Sequence, residues 1–124
     1  MPDYLENIVV DFDDTICPFN EDFSCRSLVP GAREYIIKLR RAGYIITVSS
    51  ARNNLVHGGH EGMAHQRMCR ALHEYKIPYD RIDRGLEGKP VAYRYIDDKG
   101  VGCPRTKEGW VDWPKVYELI VGKS

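Results

Sequence analysis

The sequence lacks a long hydrophobic run and an excess of charge of either sign. No apolar stretch approaches the roughly 20 residues that a membrane-spanning helix needs, and no apolar segment near the N-terminus precedes a small-residue cleavage site. Lysine plus arginine and aspartate plus glutamate both number 18, so the formal net charge is zero. Without a global basic field there is no clear nucleic-acid signature. We therefore expect a cytoplasmic protein with no membrane partner.

Closely paired cysteines are also missing. The chain has four cysteines, Cys17, Cys25, Cys69 and Cys103, and none forms a C-x-x-C pair or a Cys/His spacing typical of zinc sites. Because cytosolic thiols are kept reduced, we expect four free thiols. A disulfide between Cys17 and Cys25, across a small hairpin, is the less favoured alternative.

What the chain does contain is an alternation of strand-like and helix-like segments. Its 124 residues suffice for one domain with its own core and are too few for two. The patterning predicts strands at 7–10, 44–48, 79–83 and 91–96, a short edge strand at 101–103, and helices at 30–42, 61–75 and 113–121. This order predicts an α/β fold with a mostly parallel sheet and helices on its faces.

The five residues that follow the first predicted strand, Asp11 to Thr15, contain a cluster of acids. Three carboxylates within four residues repel one another unless a cation lies among them, and carboxylate oxygens are ligands that Mg²⁺ prefers. In parallel sheets, ligands bind at the carboxyl ends of the strands, and an aspartate there can act as a nucleophile toward phosphorus. The alternative is an acidic turn without chemistry.

Other predicted strands also end in polar residues. The second strand ends in Ser49 and Ser50, the fourth ends in Asp97 and Asp98, and Lys89 precedes the fourth. Only one of the two serines can face a site at this edge, because side chains alternate along a strand; Ser49 is favoured. Phosphoryl transfer needs positioning and charge neutralisation, which these residue types can supply.

The four segments together resemble the motifs of the haloacid dehalogenase superfamily. The stretch 8–15 resembles its D-x-D-x-T motif, 45–49 resembles the strand ending in a hydroxyl residue, Lys89 resembles the third motif, and 95–98 the fourth. The resemblance implies a three-layer α/β/α Rossmann-like domain over the whole chain. The segments between the motifs are too short for a cap domain, so we expect none.

The resemblance also implies roles for individual residues. Asp11 would be the nucleophile that forms an aspartyl-phosphate and a ligand of Mg²⁺, and Asp13 would act as general acid and base while its backbone carbonyl faces the metal. Asp97 would complete the metal ligands, and Ser49 and Lys89 would hold the transferring phosphoryl group.

Several further residues have less certain assignments. Thr15, Ser50 and Arg52 are candidate substrate-binding residues. Asp14 stands where the family often has glycine, so an extra carboxylate lies in the motif, and Asp98 would bind the metal through water or orient Lys89. His57 and His60 flank two glycines in a loop, and we interpret them as ordinary loop residues in preference to a substrate contact or a second metal site.

These expectations describe a Mg²⁺-dependent phosphomonoester hydrolase. An open site without a cap favours a bulky phosphorylated substrate, or a neighbouring copy of the chain acting as a lid in a homo-oligomer. The alternative is a phospho-accepting signalling or binding module with a receiver-like Mg²⁺ site. The identity of the substrate does not follow from fold or chemistry.

Overall fold

The computed structural model describes residues 6–50, 62–83, 94–96 and 103–122. Over these residues the strands are β1 (Asn7–Asp11), β2 (Ile45–Ser49), β3 (Arg81–Ile82) and β4 (Arg94–Ile96). The helices are α1 (Ala32–Arg41), α2 (Met63–Glu74) and α3 (Trp113–Val121). The predicted order of these seven elements is confirmed. Residues 91–93 and 101–102 of the predicted strands lie outside the described residues, and Cys103, the last residue of the predicted edge strand, belongs to no strand.

The described strands form one parallel sheet in the order β3-β2-β1-β4. β1 is central, and its register places Asp11 beside Ser49 of β2 and Val10 beside Ile96 of β4. Because all strands run in one direction, their carboxyl ends meet at one edge. The fold is a small α/β Rossmann-like fold, and the described residues contain no cap.

Both faces of the two central strands, β1 and β2, are buried. On one face, alternate residues of β1 and β2 join the three helices in a single hydrophobic core; the strand residues that do so include Ile8, Val10, Ile46 and Val48. On the opposite face Val9 is 3% exposed, and the buried Thr47 hydroxyl donates to Asn7 Oδ1 at 2.7 Å. Burial of both faces is what the expected three-layer arrangement requires.

Two glycines set the ends of α1. Gly31 precedes the helix with φ 85°, and a Cβ built on it would lie 3.2 Å from Trp113 Cβ, so a side chain here would be strained and would crowd α3. Gly43 follows the helix with φ 101°, the left-handed conformation that glycine favours after a helix end. The first glycine therefore fixes how α1 and α3 approach each other near the carboxyl edge.

Asp80 connects the other edge of the sheet to α1. Its carboxylate accepts hydrogen bonds from Arg40 Nη2 at 2.9 Å and Arg40 Nε at 3.3 Å, and from the backbone N–H of Ile46 at 2.9 Å. The hydrogen bonds from Arg40 chiefly hold the pKa of Asp80 below its ordinary value. Burial opposes them, and the Ile46 amide and the charges of Arg40 and Arg81 lower the pKa further.

We expect Asp80→Asn to destabilise the protein near neutral pH and to matter less in acid. Because the folded-state pKa is lowered, the stabilisation is fully present above the unfolded value of about 3.9 and is lost as the pH falls through the folded pKa. The pair is partly exposed, so the loss should be about 1 kcal/mol at neutral pH. Urea denaturation from about pH 7 to about pH 2.5 measures it.

Arg41→Met is the matched control for this experiment. It removes a cation from the same turn of α1 while the Asp80 carboxylate keeps its donors from Arg40 and Ile46, so its effect should be small and independent of acid. An Asp80→Asn effect of constant size across the pH range would contradict the prediction.

None of the three helices in the described ranges is long and apolar enough to cross a membrane; the longest of them has 12 residues.

Candidate functional site

Asp11 and Ser49 end neighbouring parallel strands and lie side by side. They are register partners at the carboxyl ends of β1 and β2, and the pairing continues one step further through the Phe12 N–H, which donates to the Ser49 carbonyl at 3.0 Å. Residues in register project from the same face of a sheet. Both side chains are partly exposed, so a carboxylate and a hydroxyl are available together at this edge.

Ser50 differs from Ser49 in burial. It is only 7% exposed, and as the next residue along the chain it projects away from the Asp11 face. Of the two serines left open by the sequence, Ser49 is therefore the one that shares its face with Asp11. Ser50 stays a predicted substrate-binding residue that this geometry does not favour.

The backbone after Asp11 folds into a tight loop, residues 12–17, which we call the acid loop. The Phe12 carbonyl accepts from the N–H groups of Ile16 at 2.9 Å and Cys17 at 3.1 Å, and the Asp14 N–H donates to the Cys17 carbonyl at 2.7 Å. Asp13 and Cys17 also form a β-bridge. Phe12 is fully buried, whereas Asp13 is partly exposed. These hydrogen bonds fix the backbone of Asp13 at the carboxyl edge of the sheet.

Asp14 holds the start of the next segment in place. It adopts φ 60°, a conformation that aspartate tolerates better than most residues, and its Oδ1 accepts from the Phe19 N–H at 2.9 Å. The role that the sequence left open for this extra carboxylate is thus at least partly structural.

Two residues near the start of α3 donate hydrogen bonds to the backbone of the acid loop. The Val111 N–H donates to the Asp14 carbonyl at 3.1 Å, and the buried Trp113 Nε1 donates to the Thr15 carbonyl at 2.7 Å. The Thr15 side chain is itself fully buried, and its hydroxyl has no hydrogen-bond partner in the part of the chain that the structure describes. Thr15 contributes to the acid loop through its backbone, and it stays a predicted substrate-binding residue whose side chain is buried.

Asp83 is a candidate that the sequence analysis missed. It directly follows β3, where its N–H donates to the Val48 carbonyl at 2.8 Å, and Ser49 Oγ donates to its Oδ2 at a long 3.4 Å. The sequence contains the signal, because Asp83 is an acidic residue at the end of the predicted strand 79–83, as Asp11 is directly after the predicted strand 7–10. Its carboxylate increases the negative charge around Ser49 and with it the need for a cation.

The remaining predicted site residues lie outside the described residues. They are Arg52, His57, His60, Lys89, Asp97 and Asp98. Asp97 follows Ile96 in the chain, and Ile96 is paired with Val10 of the central strand.

The donor set in the described residues suits a hard cation but is incomplete. No group of three or more histidine, cysteine, aspartate or glutamate side chains in these residues could hold a metal. Two of the three expected Mg²⁺ ligands, the Asp11 carboxylate and the backbone carbonyl of Asp13, belong to partly exposed residues at the carboxyl edge, and oxygen ligands of this kind fit Mg²⁺. The third, Asp97, is outside the described residues.

The structure overturns the expectation of four free thiols. Cys17 and Cys25 form a disulfide with Cα atoms 6.0 Å apart, while Cys69 and Cys103 are free. The intervening segment folds back on itself, because the Phe23 N–H donates to the Asn20 carbonyl at 2.9 Å and Asn20 Nδ2 donates to the Ser24 carbonyl at 3.0 Å. This local turn is the small hairpin of the less favoured alternative, and it brings the two sulfur atoms together.

Comparisons with known proteins support the fold. No family model matches the chain, and no curated protein matches it. A solved structure, that of the conserved protein coded by a locus of Bacteroides thetaiotaomicron, is similar with a TM-score of 0.68 and 23% sequence identity, over 95% of this chain and 91% of that chain. At this identity the similarity shows the α/β fold alone.

Proposed function

We propose that the protein is a Mg²⁺-dependent phosphohydrolase that cleaves phosphomonoesters through an aspartyl-phosphate on Asp11. The observation that carries the proposal is the register of β1 and β2, which sets the Asp11 carboxylate and the Ser49 hydroxyl side by side at the carboxyl edge. The fixed backbone of the acid loop supports it, because Asp13 follows Asp11 at a defined distance along that edge.

The chemistry divides into two displacements at phosphorus. In the first, an Asp11 carboxylate oxygen attacks, the bond to the leaving-group oxygen breaks, and Asp13 gives that oxygen its proton. In the second, Asp13 takes a proton from water, which attacks the phosphorus and releases Asp11 and inorganic phosphate. Bound Mg²⁺ would offset the repulsion between the carboxylates and the phosphate. Ser49, and as predicted Lys89 and Arg52, would hold the phosphoryl oxygens.

Rigidity of the acid loop suits this chemistry. Its carbonyl and N–H groups are tied to one another, to Val111 and to Trp113, so little reorganisation is needed when charge moves from the nucleophile to the leaving group. A loosely held carboxylate pair would have to be ordered anew in each turnover.

The position of Asp83 is the one observation that favours the alternative function, a phospho-accepting signalling module. A phospho-accepting module needs an acceptor aspartate on a later strand than the acidic pair, and Asp83 after β3 fits that description. However, β2 separates β3 from β1, so Asp83 lies beside Ser49 rather than beside Asp11. The hydrolase is the better supported of the two functions.

The experiment combines turnover with mapping of the phosphorylated residue. We expect the purified protein to hydrolyse p-nitrophenyl phosphate with Mg²⁺, and EDTA to reduce the rate at least about tenfold until Mg²⁺ is restored in excess. Acid-quenched protein should carry a short-lived acyl phosphate on the peptide that contains Asp11. A stable acyl phosphate on the Asp83 peptide would support the signalling alternative instead, and turnover indifferent to EDTA would contradict the proposed site.

The cytoplasmic location, the bulky substrate and the lid supplied by a second copy of the chain stay predictions. A panel of phosphorylated metabolites, nucleic-acid ends and phosphopeptides is the direct way to identify the leaving group.

A further inference from the structure

The disulfide joins the acid loop to the segment that follows it, residues 18–25, which we call the crosslinked segment. Cys17 is the last residue of the acid loop: its N–H donates to the Phe12 carbonyl, and its carbonyl accepts from the Asp14 N–H. Asp13 is bridged to the same residue. A displacement of Cys17 therefore moves the backbone that carries Asp13 and Asp14.

The far end of the disulfide is held by α2. The Tyr75 hydroxyl donates to the Cys25 carbonyl at 3.3 Å, and the Arg67 guanidinium donates to the carbonyl of Asp22. The sulfur–sulfur bond thus links the backbone of the candidate catalytic loop to a segment that is anchored on a helix. Besides this bond, the acid loop and the crosslinked segment are connected by the chain itself and by the hydrogen bond from the Phe19 N–H to Asp14 Oδ1.

The two sulfur atoms differ in access. Cys17 is fully buried, whereas Cys25 is partly exposed. Thiol–disulfide exchange requires the attacking thiolate to reach a sulfur in line with the bond, so a small thiol reaches Cys25 first. Cys17 then leaves as the thiolate.

We propose that the Cys17–Cys25 disulfide is a redox control of the acid loop, with the site competent when the bond is formed and impaired when it is reduced. In the reducing step, a thiol such as glutathione attacks Cys25 and Cys17 departs with the electron pair and takes up a proton. A second thiol then resolves the mixed disulfide, so that two thiols are oxidised to one disulfide and two cysteine thiols form. The effect on catalysis rests on the proposed function; the effect on the loop does not.

The expected loss is partial. The Val29 N–H still donates to the Ile16 carbonyl at 2.8 Å, and Trp113 still holds the Thr15 carbonyl. Reduction should therefore lower kcat/KM roughly tenfold, as a small misplacement of a catalytic group does, and should leave the fold in place. Amide exchange at Asp14 and Cys17 should become at least about tenfold faster, since both N–H groups close the acid loop.

The test compares the oxidised protein, the protein reduced by a dithiol, and two double variants. Cys17→Ala with Cys25→Ala should behave like the reduced protein and ignore the reductant. Cys69→Ala with Cys103→Ala is the matched control, which keeps the disulfide and should respond to the reductant as the unaltered chain does. Reoxidation should restore both the exchange rates and kcat/KM.

Two single variants test the order of attack. Both are made in the Cys69→Ala, Cys103→Ala background, because Cys69 and Cys103 are free thiols that would also react. With oxidised glutathione, adding Cys17→Ala leaves the accessible Cys25 and should give a protein that gains one glutathione, whereas adding Cys25→Ala leaves the buried Cys17, which should react at least about tenfold more slowly.

The outcomes separate this proposal from the proposed function. Equal exchange rates in the oxidised and reduced proteins would overturn the coupling of disulfide and loop. Turnover that is present and equal in both states, with different exchange rates, would overturn the regulation and leave the hydrolase standing. Turnover absent from both states would count against the hydrolase, and with it against redox control of catalysis, while an exchange difference would still support the coupling.

Discussion

Asp11→Asn is expected to abolish phosphomonoester turnover, with kcat reduced at least about a thousandfold. An amide oxygen of asparagine is a poor nucleophile and carries no charge, so neither the attack on phosphorus nor the attraction for Mg²⁺ survives. The substitution is nearly isosteric and lies at the partly exposed end of β1, so the fold should be retained. Steady-state rates with p-nitrophenyl phosphate and labelling of acid-quenched protein measure the loss, and no acyl phosphate should form.

Asp14→Asn is the matched control for Asp11→Asn. It removes the same charge from the same loop, tolerates the same φ of 60°, and keeps a side-chain oxygen to accept from the Phe19 N–H. We expect its kcat to stay within about tenfold of the unaltered protein. Equal losses from the two variants would indicate that net charge at the edge, and not a nucleophile at Asp11, accounts for the activity.

Trp113→Ala is expected to lower the free energy of unfolding by about 4 kcal/mol. The Trp113 side chain is fully buried in the core, lies against Gly31 and donates to the Thr15 carbonyl beneath the acid loop. Its loss leaves a large cavity and an unpaired buried carbonyl. Against the 5–15 kcal/mol that roughly bounds small-domain stability, this is a large share, and the melting temperature should fall by roughly 15 °C.

Two further variants separate the loss of the hydrogen-bond donor from the loss of buried bulk. They also keep the prediction measurable if Trp113→Ala does not fold. Trp113→Phe retains most of the bulk but removes the donor, so it should cost about 1–2 kcal/mol. Leu119 lies on the same helix and is 66% exposed. Leu119→Ala should therefore change the free energy of unfolding by less than about 0.5 kcal/mol. Urea denaturation of all three gives the comparison. A cost below about 1 kcal/mol for Trp113→Ala would show that α3 does not support the core as the structure indicates.

Predictions that depend on local pattern agree well with the structure. Helix α3 has the predicted bounds, because Asp112 caps its start, accepting from the Lys115 N–H at 3.3 Å, and its apolar spacing is continuous. β3 is shorter than predicted, at two residues instead of five. Among the described strands it lies at the edge of the sheet and pairs with β2 alone, and the apolar pattern of a segment can extend beyond the residues that find a partner.

Features that depend on contacts between distant segments were missed or left open. Asp83 became a candidate only when β3 was placed beside β2, which brought its carboxylate to Ser49. The choice between Ser49 and Ser50 required the register of β1 and β2. The disulfide is an exception, because the hairpin that joins Cys17 to Cys25 is local and was the less favoured alternative; the expected compartment argued against it.

The sequence by itself determined the alternation of strands and helices and the position of acids and hydroxyls at strand ends. Both follow from the period of side chains along a helix or strand, which is a local property of the chain. Only the tertiary structure decided which strand ends are neighbours, how the acid loop is tied to Trp113, and which cysteines are joined. Those choices depend on strand order, register and long-range packing, because residues far apart in the chain must bury their surfaces and satisfy their hydrogen bonds together.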